Sequence, residues 1–99
     1  MDTTQLAKIA KALADPTRLQ IYEKIAAHPD IYCGEIIEEH GLSPGTVSHH
    51  LKVLTESGLI ECRKEGQFVY NRAVPETMRE YTQALGRMAR PGKVQRERR

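Results

Sequence analysis

Apolar residues recur with helical spacing over the first thirty residues of the chain. In TTQLAKIAKALA they follow an i, i+3, i+4, i+7 pattern, at Leu6, Ile9, Ala10 and Leu13. This spacing predicts an amphipathic helix with Thr3 or Thr4 as its N-cap. A second helix is predicted in ADPTRLQIYEKIAAHPD, since Asp15 can accept hydrogen bonds from first-turn N–H groups and Pro16 suits the first helical position. Its apolar stripe comprises Leu19, Tyr22, Ile25 and Ala26.

Two further helices are predicted on either side of a short turn. CGEIIEEHG forms a third helix that ends at Gly41, which can adopt a left-handed C-cap conformation. The fourth helix lies in LSPGTVSHHLKVLTESG, with Ser43 as its N-cap, Pro44 at its first position and Gly58 at its end. The tight, glycine-containing turn between them is the connection expected of a helix-turn-helix.

The apolar pattern changes after Leu59. LIECRK and QFVYNRA contain β-branched and aromatic residues on either side of Glu65-Gly66, which predicts a β-hairpin with positive φ at the glycine. Pro75 begins a last helix, PETMREYTQALGRMA, whose apolar stripe comprises Met78, Tyr81, Leu85 and Met88. The predicted fold class is mainly α with a small β-hairpin: a winged helix-turn-helix in which four helices precede two strands and a fifth helix. We expect a homodimer through the first and last helices, which keep apolar surface.

Composition and charge refine this picture. A chain of 99 residues with 5% aromatic residues and no Trp forms one small domain, for which dimerisation adds buried surface. The net charge of +2 is uneven, because residues 90–99 hold five basic residues against one Glu and leave residues 1–89 at −2. We therefore expect a domain over residues 1–89 and a basic tail over residues 90–99, which is either a solvated, disordered end or a nucleic-acid arm.

The chain shows neither an apolar run long enough to span a membrane nor a secretory signal in MDTTQLAKIAKAL. We therefore expect a cytoplasmic protein without a membrane partner. In that compartment cysteines begin as reduced thiols rather than as a disulfide framework.

The adjacent histidines in TVSHHLKVL lie on different faces of the fourth helix. At about 100° per residue, Val47, Leu51 and Leu54 share the core face. The outward strip comprises Gly45, Ser48, His49, Lys52 and Glu56. His50 lies on the flank, where we interpret it as a structural residue.

A metal-binding or catalytic pair at His49 and His50 is not expected. Adjacent helical residues do not face each other, and no second acid or nucleophile is spaced around them, so we predict no enzyme. The outward strip suits the major groove of double-stranded DNA, where Gly45 permits close approach and hydroxyl and imidazole groups can bond to base edges or phosphates. An ordinary solvated face is the alternative.

Three ordered segments, LADPTRLQIYEKI, GLSPGTVSHHLKVLTESGLI and RKEGQFVYNRA, resemble the ArsR/SmtB-type winged-helix repressors over about residues 5–88. The resemblance implies a homodimer that binds an inverted-repeat operator and releases it when an effector arrives. It also implies base reading by Ser48 and His49. The DNA-binding residues then expected are Ser43, Gly45, Thr46, Ser48, His49 and Lys52 on the fourth helix, and Arg63, Lys64 and Gln67 on the wing.

The metal sites of that family are not carried over. Its C-x-C-x-x-C box falls on Tyr32, Gly34 and Ile37, and its last-helix site of Asp and His has no counterpart here. We therefore expect no cofactor and no metal site, with a soft metal or arsenite at Cys33 or Cys62 as the open exception. These two cysteines are either small buried hydrophobes or thiol sensors of oxidant, persulfide or arsenite.

The predicted function is a sequence-specific DNA-binding repressor that an effector releases from its operator. The effector is not identified, and action through Cys33, Cys62 or both is one open route. The runner-up is a winged helix used for protein–protein interaction, with weak DNA affinity. The near-neutral balance of residues 43–72, with four Lys or Arg against three Asp or Glu, keeps that alternative open.

Overall fold

The computed structural model describes residues 1–90 as five helices and a three-stranded antiparallel sheet. The helices are α1 (Thr3–Leu13), α2 (Pro16–Ala26), α3 (Cys33–His40), α4 (Pro44–Glu56) and α5 (Pro75–Ala89). The strands are β1 (Ile31–Tyr32), β2 (Ile60–Glu65) and β3 (Phe68–Ala73), in the spatial order β1-β3-β2. The predicted winged helix-turn-helix is confirmed, and β2 and β3 form the wing. The predicted tail lies outside the described residues, apart from Arg90.

The two-residue strand β1 was missing from the sequence-based prediction. Ile31 pairs with Asn71 and Tyr32 with Tyr70, so the segment before α3 is held against β3. Two residues are too few to show an alternating pattern, and their pairing depends on a strand that comes much later in the chain.

Helix α1 is capped by Asp2, so the prediction of Thr3 or Thr4 was wrong. The Asp2 carboxylate accepts a hydrogen bond from the Gln5 N–H at 2.9 Å. An ionised carboxylate also interacts favourably with the positive end of the helix dipole, which favours it over a threonine hydroxyl.

The buried face of α2 differs from the predicted stripe. Ile21, Tyr22 and Ile25 are buried, whereas Leu19 is 39% exposed and Ala26 is exposed. Arg18 is half-buried one turn before Ile21, and it continues the buried face of the helix. A stripe that admits only apolar residues cannot include this cation, so the prediction left out the Arg18 side of the helix.

The helix-turn-helix connection is confirmed in detail. Gly41 has φ 64° and its N–H donates to the Ile37 carbonyl at 3.1 Å, which closes α3. Ser43 caps α4, since its Oγ accepts from the Thr46 N–H at 3.2 Å. Pro44 occupies the first position of α4, as predicted.

The wing is a tight hairpin in which Glu65 pairs with Phe68 and Gly66 has φ 63°. Its two faces differ in chemistry. Cys62 pairs with Asn71 on the face that looks toward α4. Glu61, Arg63, Tyr70 and Arg72 lie on the opposite face.

The core lies between α1, α2, α3, α4 and the sheet. Its fully buried side chains include Ile9, Ile21, Ile25, Ile36, Leu54 and Leu59. In α5, Met78 and Tyr81 pack against this core, but Leu85 is 42% and Met88 is 67% exposed. The apolar stripe of α5 is therefore only half covered within one chain. None of the described helices is long and apolar enough to cross a bilayer.

Candidate nucleic-acid interface

The exposed face of α4 carries the predicted outward strip. Val47, Leu51 and Leu54 are buried and anchor the helix, as expected. Ser48, His49 and Lys52 are exposed on the other side. A Cβ added at Gly45 would meet no atom within 4 Å, so the fold does not require a glycine there. The absence of a side chain leaves open surface beside the first turn of α4.

The first turn of α4 is held by a local hydrogen-bond pair. Besides capping the Thr46 N–H, the Ser43 hydroxyl lies 2.8 Å from the Thr46 hydroxyl. Both side chains remain exposed. Because each hydroxyl has two acceptor lone pairs and one proton, the pair keeps hydrogen-bonding capacity for an external group.

His50 lies in the seam between α2 and α4. It is 8% exposed, and its Nδ1 lies 3.2 Å from the Arg18 guanidinium and 3.7 Å from the Asp15 carboxylate. Arginine is always a donor, so Nδ1 accepts and the ring proton sits on Nε2. Burial lowers the pKa of His50, and the neighbouring Arg18 and His49 lower it further, against an opposing effect of Asp15. His50 therefore acts as a neutral hydrogen-bond acceptor for Arg18.

Arg18 joins three helices. Its Nε donates to the Ala12 carbonyl at 2.6 Å and its Nη2 to the Lys11 carbonyl at 3.2 Å, at the C-terminal end of α1. Through His50 it also contacts α4. Asp15 lies 3.7 Å from the same guanidinium and makes no capping bond to α2, which corrects the predicted role of this carboxylate.

Three cations lie beside His49 that the sequence analysis did not include among the DNA-binding residues. Lys8, Lys11 and Arg18 line one groove with His49, along the α1 side of α4. They come from α1 and α2, so their proximity to the outward strip follows from helix packing. A helical-wheel comparison of α1 with α4 could not have found it.

The three wing residues predicted to contact DNA differ in their surroundings. Lys64 and Gln67 are exposed near the tip. Arg63 donates to both Asp30 oxygens, at 2.7 and 3.3 Å, and to Glu65 at 2.9 Å. The hydrogen bonds to Asp30 and Glu65 raise the pKa of Arg63 further above its ordinary value. Arg63 was predicted to contact DNA, but its positive charge is already balanced by these two carboxylates.

The two cysteines lie on either side of Asn71. Cys62 is exposed, so its interpretation as a small buried hydrophobe was wrong, whereas Cys33 is half-buried. The Cys62 thiol donates to Asn71 Oδ1 at 3.0 Å, and Asn71 Nδ2 donates to the Cys33 sulfur at 3.4 Å. Over residues 1–90, no three His, Cys, Asp or Glu side chains converge into a metal-binding group.

Comparison with known proteins shows which family has the sequence features of this chain. The chain matches the helix-turn-helix domain family over residues 13–63. It is 36% identical over 74 residues to an uncharacterized HTH-type transcriptional regulator of Methanocaldococcus jannaschii, covering 75% of this chain and 83% of that protein. It is also 36% identical over 62 residues to the transcriptional repressor SdpR of Bacillus subtilis, covering 63% and 68% of the two chains.

Two solved structures share the fold. The ArsR-like transcriptional regulator from Rhodococcus sp. RHA1 has a TM-score of 0.77 at 26% identity, over 86% of this chain and 79% of that chain. The homodimeric winged helix-turn-helix DNA-binding domain of a possible ArsR-family regulator from Mycobacterium bovis has a TM-score of 0.71 at 31% identity, over 83% and 76%. The fold and the exposed strip of α4 thus define a winged helix-turn-helix transcriptional regulator. The chain belongs to the ArsR family.

Proposed function

We propose that this protein is a homodimeric repressor that binds an inverted-repeat DNA operator and releases it when an effector arrives. The observation that carries the proposal is the exposed strip on α4, where small and hydrogen-bonding side chains stand outward from a buried apolar anchor. Two copies of α4 would enter successive major grooves about 34–36 Å apart.

Within this interface, Ser48 and His49 read base edges, and Gly45 allows the backbone of α4 to approach the groove closely. The exposed hydroxyls of Ser43 and Thr46 and the ammonium of Lys52 bind phosphates. The groove beside His49 holds three cations, Lys8, Lys11 and Arg18, against one carboxylate, Glu56, and this positive balance favours a nearby phosphate strand.

On the wing, Lys64 and Gln67 meet the flanking DNA backbone or minor groove. Arg63 joins them only if a phosphate displaces Asp30 or Glu65 from its guanidinium, because both carboxylates are within hydrogen-bond distance. We therefore assign the main electrostatic contact of the wing to Lys64.

Base contacts and phosphate contacts are separable by mutation. Operator fragments are first selected from random double-stranded DNA, and affinities for operator and random DNA are then measured at several salt concentrations. We expect His49→Ala to reduce the ratio of the two affinities by roughly tenfold, since a base contact contributes about 1–3 kcal/mol of discrimination. Lys64→Ala should weaken both affinities about equally and reduce the salt slope by about one.

His28→Ala is the matched control, because His28 is an exposed histidine beyond the end of α2 and does not belong to the outward strip of α4. An unchanged specificity ratio for His49→Ala would remove His49 from base reading. If no sequence is selected from random double-stranded DNA, the proposal of a specific operator is wrong.

A protein-interaction module with weak DNA affinity is the second candidate. The pairing of Arg63 with two carboxylates favours it, because the wing then presents less free positive charge than its sequence suggests. The same selection experiment distinguishes the two functions: this candidate expects only weak binding without sequence preference.

A further inference from the structure

We propose that the groove between α4 and the wing is a modification site, at which Cys62 is alkylated by a small, uncharged carbon electrophile such as a quinone or an unsaturated carbonyl compound. The consequence for DNA binding rests on the proposed function above. The reactivity of the site does not depend on that function, and it is measured separately through the rate of alkylation.

The two thiols belong to an organised polar cluster. Asn71 is fully buried in the middle strand of the sheet, and its carboxamide bonds to the Cys62 thiol, the Cys33 sulfur and the Ile31 carbonyl, at 3.0, 3.4 and 3.4 Å. A buried carboxamide that lost these partners would be left unsatisfied, at a cost in stability. The thiols therefore have defined positions within one groove.

The groove suits a small apolar molecule. It has a volume of about 420 Å³, its walls include Leu51 and Val69, and both cysteines line it. That size accommodates a single substituted ring and is too small for a folded peptide segment. Lys52 and Glu56 also line the groove with opposite charges, so its lining has no net charge to attract an anion such as iodoacetate, and the apolar walls favour an uncharged reagent.

Polar groups around Cys62 match the requirements of conjugate addition. The Thr55 hydroxyl lies 3.4 Å from the Cys62 sulfur and donates to the Leu51 carbonyl at 2.7 Å, and by rotation it can donate to a thiolate instead. Lys52 lines the same groove and can donate to the carbonyl oxygen of the reagent. Both groups stabilise negative charge where the addition creates it.

The reaction balances without an oxidant. The Cys62 thiol loses its proton to water, and the sulfur forms a bond to the β-carbon as the carbon–carbon π bond breaks. The electron pair passes to the carbonyl oxygen as an enolate, and water returns a proton to the α-carbon. Cys33 is half-buried and Cys62 is exposed, so the adduct forms at Cys62.

The adduct would interfere with DNA binding because the groove and the DNA interface share residues. Ser48 and Lys52 line the groove and also belong to the outward strip of α4. A molecule held there occupies the space beside these side chains and engages the Lys52 ammonium, so it competes with a phosphate strand for the same surface.

The test treats the full-length protein with N-ethylmaleimide as the probe and follows the intact mass, the modified peptide and operator affinity. We expect the first equivalent to react at Cys62, and operator affinity to fall by about tenfold or more as it does. Operator DNA should in turn slow the alkylation. Cys33→Ser should behave as the wild type, and Cys62→Ser should bind operator but resist the reagent.

Thr55→Val is the matched variant for the site itself, since it keeps the shape of the side chain and removes the hydroxyl. Slower alkylation of Cys62 in Thr55→Val than in the wild type supports an organised site. Equal rates in the wild type and in Thr55→Val would overturn it, and so would a first reaction at Cys33. An unchanged operator affinity of the Cys62 adduct would overturn the link to DNA release. If the untreated protein selects no operator, the proposed function fails. The alkylation rates would still show whether Cys62 lies in an organised reaction site.

Discussion

Ser43 shows how a single side chain supports the interface. Its hydroxyl caps the Thr46 N–H at 3.2 Å and contacts the Thr46 hydroxyl at 2.8 Å. The first turn of a helix leaves N–H groups without intrahelical partners, and an N-cap side chain satisfies one of them. The turn held in this way is the one that presents Gly45 and Thr46 at the proposed DNA surface.

Ser43→Ala is expected to lower the free energy of unfolding by about 1 kcal/mol, because the cap is lost without a replacement. Urea unfolding monitored by circular dichroism measures the change. Ser48→Ala is the control, since Ser48 is an exposed position inside the same helix and alanine is a better helix former. Equal losses of stability in the two variants would contradict the capping role.

The helices are coupled through the junction of Arg18 and His50. Arg18 bonds to two carbonyls at the end of α1, and His50 of α4 accepts from the same guanidinium. Asp15, at the start of α2, lies 3.7 Å from both side chains. The hydrogen bond that connects Arg18 to α4 therefore requires His50 to remain a neutral acceptor.

We expect acid to weaken this junction. Because burial lowers the pKa of His50 in the folded protein, the unfolded chain binds the proton first as the pH falls. The free energy of unfolding should decrease below about pH 6.5, the ordinary pKa of histidine, and level off once the folded state is protonated too. Urea titrations between pH 8 and pH 5 measure this dependence.

His50→Gln isolates the contribution of this residue, since glutamine offers an acceptor to Arg18 and does not titrate. The variant should lose part of the pH dependence, whereas His49→Gln should keep the part that comes from the burial of His50. A wild-type slope in His50→Gln would rule out the proposed protonation at the junction.

At the scale of the whole molecule, one chain leaves apolar surface uncovered. Leu85 and Met88 are 42% and 67% exposed on α5, although Met78 and Tyr81 of the same helix pack against the core. A solved relative is described as homodimeric. Covering the outer half of α5 with a second copy would bury this surface and give the protein two copies of α4.

The double variant Leu85→Glu/Met88→Glu is expected to be monomeric at micromolar concentration, because it places four charges in the proposed twofold interface. Sedimentation equilibrium measures the mass. Operator affinity should fall by about a hundredfold or more, since each half-site then binds independently.

Gln83→Glu, an exposed substitution on another side of α5, should leave the dimer intact. A dimeric double variant with normal operator affinity would exclude α5 from the interface.

Much of the architecture could be predicted because its signals are local. Gly41 and Gly66 adopt the positive φ angles that their positions suggested, and Ser43 and Pro44 begin α4 as expected. The anchor residues of α4 also followed from their spacing alone. Apart from the N-cap of α1, where the carboxylate of Asp2 takes the place predicted for a threonine, the errors occurred where polar groups are buried or partners are distant. Asn71 lies in the sheet without any apolar signal, and β1 depends on its pairing with β3.

The sequence by itself determined the order of the five helices and the two wing strands, the helix-turn-helix and the outward strip of α4, since each follows from periodicity and turn chemistry within a short segment. Only the tertiary structure decided that Arg63 is held by Asp30, that Arg18 joins α1 to α4, and that Cys33 and Cys62 share Asn71. These contacts connect residues far apart in the chain, and their distances and burial are set by packing, which no local pattern specifies.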